Sequence, residues 1–422
     1  MFQVACILIS KPLAMKRLFV NIIIGTLVLT GCTELEKPAL KVHEDETTVE
    51  NSFLNGDRTL PVMFLTTASG KGITDKEDWE EAAMSVRTAE GIVNVSASDI
   101  QVKGRGNASW AFPKKAFDIL FDSPEPLLGM PAGERWCMLA NWRDITLMRN
   151  AVALEIARMT SLDWTPEGRF VDLVIDGRYM GNYYLTQKVD ISSEHVNVGE
   201  NGVLLCFDSY FDKDFRFRSQ VKKLPVNVIL SSGSTLDGKA FSALKGYISD
   251  VENSLYSGKG NWRDYLDEES FCDWLIVHEL TENNEPTRPH SVYMHRSSDG
   301  KLCAGPAWDF DCRTFRPGVT GLLDGGAVWY DALLSDPGFV KVLKLRWRTL
   351  KPAFEDHIPE FIDSTFSLIR SSAELNTQMW PINTVLFSSN GDEQMEYSDA
   401  VALLRSAFIE RLASLDEAIM SL

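Results

Sequence analysis

The sequence has no Cys-x-x-Cys pair, no HExxH and no GxSxG, and its most prominent glycine turn, Gly104-Arg105-Gly106-Asn107, fits neither Walker nor Rossmann spacing. Each of those chemistries needs its residues at fixed local separations, so a zinc ribbon, a zincin, a serine hydrolase and a standard nucleotide loop are disfavoured together. Positive charge is scarce as well. Forty-two Lys and Arg stand against 59 Asp and Glu, a formal net charge of −17 at pH 7. General affinity for nucleic-acid phosphate depends on clustered cations that release counterions, so no nucleic-acid partner is expected. There is no internal repeat, and no Pro/Ser/Gly-rich stretch divides the chain after about residue 58.

What is present is a globular composition, 45% hydrophobic and 24% charged over 422 residues, enough to bury a large core. One body over 59–422 is expected. Ahead of it, Met15-Lys16-Arg17 opens a basic segment, Leu18 to Leu29 is apolar, and Leu29-Thr30-Gly31-Cys32 has the form of a lipobox. The apolar run is shorter than the roughly 20 residues needed to span a bilayer. Residues 1–32 therefore read as a lipoprotein leader whose true start could be Met15, with lipid on Cys32 as the membrane partner. Residues 33–58 read as a flexible tether, which would place the body in the bacterial cell envelope, periplasm-facing or surface-exposed. Of the seven cysteines, Cys137, Cys206, Cys272, Cys303 and Cys312 fall in the body. Buried thiols are the simpler expectation for them; Cys303 and Cys312, which flank an acidic pair, leave a disulfide open.

Hydrophobic periodicity predicts an α+β chain, sheet first and helices last. Leu60–Thr66, Ile100–Lys103 and Lys115–Phe121 read as strands. Phe170–Ile175 and Tyr179–Thr186 read as a hairpin about Asp176-Gly177, a dipeptide suited to the positive φ angles of a tight turn. A helix is expected from Asp144 to Met159, and another over Phe271–Leu280.

Three places could carry chemistry. In Trp308-Asp309-Phe310-Asp311 an extended backbone would project Asp309 and Asp311 from one face, a suitable pair for a hard divalent cation. A solvated strand end would look the same. Second, Gly104–Asn107 followed by Pro113-Lys114-Lys115 could offer backbone N–H groups and lysines to phosphate, or simply be a polar turn. Third, Glu279–Glu285 at a helix end supplies carboxylates for proton transfer and Asn283 as a possible metal ligand. The six histidines form no metal pattern and read as structural.

The order and wording of these segments resemble the CotH-type (spore coat protein H) family of atypical protein kinases. The resembling residues are Lys103-Gly-Arg-Gly-Asn-Ala-Ser-Trp110 with Pro113-Lys-Lys115, Leu139-Ala-Asn-Trp142 through Thr146-Leu-Met-Arg-Asn150, Arg169–Leu173 with Tyr179–Tyr184, and Trp308–Asp311. The resemblance implies a divergent, two-lobed protein-kinase-like fold that uses ATP with Mg²⁺ or Mn²⁺ to phosphorylate Ser or Thr of protein substrates. It further implies Asp309 as a catalytic metal ligand with Asp311 and Asn283 beside it. Arg105, Lys114, Lys115 and Gln187 would meet the nucleotide, and Glu285 would act as the catalytic carboxylate. Two positions depart from the family: Glu285 stands where aspartate is common, and Gln187 where a glutamate is. A surface lipoprotein that keeps the scaffold without catalysis, binding a protein or glycan, is the alternative expectation.

Overall fold

A strand whose apolar residues recur at every second position must bury one face, and seven successive strands do so against each other. In the computed structural model, which describes residues 59–88, 93–230, 234–381, 390–392 and 394–422, these are β1 (Val62–Thr67), β2 (Glu80–Arg87), β3 (Val93–Arg105), β4 (Ala116–Glu125), β5 (Gly133–Leu139), β6 (Gly168–Ile175) and β7 (Arg178–Gln187). They form a closed barrel in the order β1-β2-β3-β4-β5-β7-β6. Parallel pairing of β1 with β6, Val62 opposite Asp172, makes the closure. Closure leaves this sheet no free edge. Its interior is packed by Met63, Leu65, Met84, Ile100, Val102, Ile119, Trp136, Val171 and Leu185, each worth roughly 1.5–3 kcal/mol of burial.

The predicted hairpin is present. Asp176 and Gly177 have φ of 48° and 76°, the left-handed pair that a two-residue turn needs. The Asp176 carboxylate also accepts hydrogen bonds from Thr67 N, Thr67 Oγ1 and Gly72 N at 2.7–2.8 Å, fastening the turn to the end of β1.

A second sheet follows, in the order β12-β11-β8-β10-β9: β8 (Val203–Phe207), β9 (Arg216–Arg218), β10 (Pro225–Ile229), β11 (Val292–Arg296) and β12 (Cys303–Ala304). Around it lie α1 (Arg149–Arg158), α2 (Gly238–Tyr256), α3 (Glu268–Thr281), α4 (Tyr330–Leu333), α5 (Pro337–Met379) and α6 (Tyr397–Ser421). Their shared core includes Phe207, Trp274, Trp329, Tyr330, Trp347, Phe354 and Phe408. The α+β plan with sheet first and helices last holds; what the expected two-lobed arrangement does not anticipate is closure of the first sheet into a barrel.

Helix α1 begins at Arg149, later than the expected Asp144. Leu147 takes a left-handed φ of 59°, which interrupts the helical path, so Asp144 instead organises the turn ahead of the helix. Its carboxylate accepts from Thr146 N and Arg149 N, both at 2.9 Å. Helix α3 starts where Asp267 accepts from Ser270 N at 2.9 Å and stops where Glu282 turns left-handed with φ 60°. That reversal aims the chain toward Asn283 and Glu285. The leader, Cys32 and the tether lie outside the described residues; among those described, no helix is long and apolar enough to cross a membrane.

Candidate active site

Strand alternation that buries one set of side chains in the barrel must turn the other set outward. In β3, Ile100 and Val102 are interior, so Arg105 faces out; in β4, Phe117 and Ile119 are interior, so Asp118 faces out. These outward residues form one wall of a cavity of 560 Å³, whose other walls come from Asp208, Tyr210, Glu285, His290, Ser291, Asp309 and Asp311. The volume lies in the range typical of small-molecule sites, about 300–1,000 Å³.

The basic wall centres on a buried carboxylate. Asp118, 4% exposed, takes Arg105 Nε at 3.2 Å and the Lys188 ammonium on its other oxygen. Burial works to raise the Asp118 carboxyl, but Lys188 and Arg105 outweigh it and hold the group below its ordinary range. Arg105 also lies 5.5 Å from the Trp308 ring centre.

Of the other three residues assigned to the nucleotide from sequence, Lys114 lines the cavity with its amine tied into the wall, while Lys115 and Gln187 turn away from it. Lys114 is 1% exposed, donates to the Ala140 carbonyl at 2.7 Å and to that of Asn182, and burial drives its pKa well below that of a free lysine. An amine so engaged buttresses the wall and brings little charge to it. Lys115 turns back to the Trp110 carbonyl and ring. Gln187 follows the parity of the interior residues Tyr183 and Leu185, and its Oε1 accepts from Glu167 N at 3.0 Å. Lys188, one residue on, is the side chain that reaches the cavity. The glycine turn is likewise packed by its own residues, since a Cβ on Gly104 would meet the Trp110 ring at 2.1 Å.

The acidic wall is built from four segments. Asp309 and Asp311 lie beyond the end of β12 in irregular chain, so they do not share a strand face. They converge because Asp309 is left-handed, φ 73°, while Trp308 and Phe310 are buried on either side. Asp309 is open to the cavity, yet burial by the surrounding protein raises its pKa, with Arg105 opposing. Asp311 rises to about 7 through burial and the charge of Asp309. Glu285 rises to about 8 through burial and then Asp309, Asp311 and Asp208. Asp208, which sequence reasoning missed, follows β8; it accepts from Ser291 N at 3.0 Å and sits 3.5 Å from the His290 ring. Ser291 in turn donates to Asp309 at 3.4 Å. A donor set of carboxylate oxygens fits a hard divalent cation.

Asn283, expected as a metal ligand, acts one step behind the cavity. Its Nδ2 donates to the Asp309 carbonyl at 2.9 Å and its Oδ1 accepts from Glu285 N at 3.2 Å, so both ends of the amide are engaged in spacing the two acids.

Distant residues pin the acidic segment. Asn150 Oδ1 accepts from Phe310 N at 2.8 Å, between the two aspartates. Asn390 Nδ2 donates to the Asp311 carbonyl at 3.3 Å, and its Oδ1 accepts from Arg313 N at 2.7 Å. Arg149, fully buried, reaches the Thr314 carbonyl at 3.2 Å and pairs with Asp144 and Asp392 at 2.5 and 2.8 Å. The Arg149-Asn150 dipeptide singled out in the sequence therefore holds the acidic loop in place. The five body cysteines are free thiols, with Cys312 at the cavity wall.

None of the curated proteins compared with this chain matches it. The family model described as CotH kinase protein does, over residues 102–415, a span that takes in both cavity walls and most of the chain. The chain belongs to the CotH kinase family.

Proposed function

We propose that this chain is an exported protein kinase, held to the cell envelope by lipid on Cys32, which transfers the γ-phosphoryl group of ATP to Ser or Thr hydroxyls of surface or secreted proteins. The observation that carries the reading is that Asp208, Glu285, Asp309 and Asp311 face Arg105, Asp118 and Lys188 across one cavity. Phosphoryl transfer asks mainly for positioning and charge neutralisation, and these residue types supply both. The cavity would serve as the cleft of a two-lobed kinase-like body, barrel on one side and second sheet with helices on the other.

Asp309 and Asp311, with Asp208 beside them, would hold Mg²⁺ or Mn²⁺, whose charge neutralises phosphate oxygens when bound. Arg105 and Lys188 would meet the phosphates from the opposite wall. Glu285 lines this cavity and also a neighbouring one of 440 Å³ shared with Asn284, Thr287, Arg288 and Arg313. The second cavity is thus the natural entry for a protein hydroxyl. Its oxygen attacks the γ-phosphorus, the bond to the β-phosphate oxygen breaks, ADP leaves, and the hydroxyl proton passes to Glu285. Burial and the neighbouring carboxylates raise this carboxyl to about 8 in the metal-free protein, and a cation held at Asp309 and Asp311 would draw it down and free it to accept the proton.

Thermal unfolding with Mg²⁺ or Mn²⁺, with and without ATP, tests the binding half. Nucleotide at about 100 times its Kd should add about 2.7 kcal/mol, several degrees in melting temperature, and Asp309→Asn should abolish the gain. Transfer of labelled phosphate to the protein itself or to casein tests the chemistry. Stabilisation without transfer would point to a binding protein, and ATP hydrolysis without phosphoprotein to a hydrolase; either result removes the kinase assignment.

A further inference from the structure

A second cluster of donor atoms lies at the β11–β12 hairpin, on side chains the proposed chemistry does not use. His295 and Cys303 are direct cross-strand partners, so their side chains leave the same face of the pair. Asp163, in the loop after α1, reaches over both. Its Oδ2 is 2.8 Å from His295 Nε2, its charge helps raise the Cys303 thiol, whose Sγ donates to the Lys301 carbonyl at 3.8 Å, and one donor atom from each residue lies within 4.8 Å of the others.

The hydrogen bonding of His295 is what makes this more than a surface ion pair. Its Nδ1 faces the Gly305 carbonyl at 3.2 Å, and a carbonyl can only accept. A neutral imidazole carries a single N–H, and in the tautomer that gives it to Gly305 the Nε2 lone pair is aimed at a carboxylate oxygen. Two acceptors at 2.8 Å need a positive species between them. A second proton satisfies the contact, and so does a metal ion. An Nδ1–H held by a backbone carbonyl is also how metal-binding histidines are commonly oriented.

We propose that Asp163, His295 and Cys303 form a second metal site that takes a zinc-class cation through one oxygen, one nitrogen and one sulfur, with water as fourth ligand. The thiol selects against Mg²⁺ and Ca²⁺, which favour oxygen, and so separates this site from the carboxylates around Asp309. Bonds of about 2.0–2.3 Å would set tetrahedral donors roughly 3.3–3.7 Å apart. The His295–Asp163 pair must therefore open by about half an ångström while Cys303 closes in. The Asp163 side chain, 66% exposed, is free to make that adjustment and leaves room for the water. Burial pushes the free Cys303 thiol up to about 12, so the arriving cation displaces the thiol proton to solvent and binding strengthens as pH rises. Because Cys303 and Gly305 begin the stretch that ends at Asp309, an ion here would fasten the start of the acidic segment to the α1 loop.

The full chain, reduced and stripped with chelator, is titrated with Co²⁺ and followed by absorption. One equivalent should give a thiolate-to-cobalt charge-transfer band with the intense d–d bands of a tetrahedral ion, and Zn²⁺ should bleach both. Cys303→Ser should remove the charge-transfer band, and Asp163→Asn, at an exposed side chain, should weaken Co²⁺ binding at least tenfold with the melting temperature unchanged. Asp311→Asn should leave the spectrum intact. No charge-transfer band at one equivalent would overturn the site in favour of a proton-shared pair. A band that survives Cys303→Ser would overturn it in favour of Cys312 at the acidic cluster.

Discussion

The glycine turn at 104–110 and the acidic segment at 306–311 look alike in sequence: each is short, sets charge near a tryptophan and is suited to a ligand. In the fold they are opposites. The first is stabilised from within, by Trp110 packed over Gly104 and by Lys115 turned onto Trp110, and of its charged groups only Arg105 meets a carboxylate in the cavity. The second has almost no internal support. Its backbone is held by Asn150, Asn283 and Asn390, residues scattered over more than half the chain. A segment that packs itself contributes shape; a segment pinned from outside can present carboxylates against their mutual repulsion.

Removing an external pin should therefore do the most damage. Arg149→Met leaves Asp144 and Asp392 buried without their cation, and breaking a buried ion pair this way costs about 3–5 kcal/mol. A clearly lowered melting temperature and loss of any phosphoryl transfer are expected. A variant as stable as the parent would show that the acidic loop does not depend on its anchor. A smaller effect separates the two lysine positions. Lys188→Met strips Asp118 of one cation and the cavity of one charge, and should slow transfer about a hundredfold. Lys115→Met, whose ammonium serves its own turn, should change the rate by less than about threefold. Equal losses at both positions would dissolve the contrast between the turn and the strand that follows it.

Much of this was legible where chemistry is local. Residue pattern gave five of the seven barrel strands but not β2 or β5, Asp176-Gly177 gave the hairpin, and the pairing of Asp309 with Asp311 followed from two acids with apolar residues before and between them. What stayed hidden depends on parity and distance. Gln187 and Lys188 differ by one position, and only the interior placement of Tyr183 and Leu185 decides which of them faces the cavity. Asp208 and Asp118 carry no motif; each is an ordinary acid in a strand or just past one until the fold sets it opposite a charge. Asn390 and Asp392 lie where the sequence offered only loosely patterned helices. The reason Asp309 and Asp311 converge was also misjudged, since a left-handed residue bends the chain where an extended strand was expected.

The acidic wall also differs from the basic one in what it does to stability, and this is the smallest and most selective effect. Asp311 holds its proton to about 7 and Glu285 to about 8 in the folded protein, against about 4 in an unfolded chain. Between those limits the folded state binds more protons, so stability falls as pH rises; below about 4 and above about 8 the two states bind alike and the slope vanishes. His278 acts the other way. Burial lowers its pKa to about 3, so it contributes stability above the ordinary histidine value of about 6.5 and loses it as pH falls. Its influence ends near 6.5, which leaves pH 6.5–8 as the window where the carboxyls act without it. There the metal-free protein should lose a few degrees of melting temperature, Asp311→Asn should flatten the decline, and Mg²⁺ should stabilise more at pH 8 than at pH 6.5 because the ion displaces protons that are held more loosely there. If the wild-type protein and Asp311→Asn trace the same curve over that window, the carboxylates of the two loops do not share a field, and the contrast between a self-packed turn and an externally pinned acidic segment loses its energetic basis.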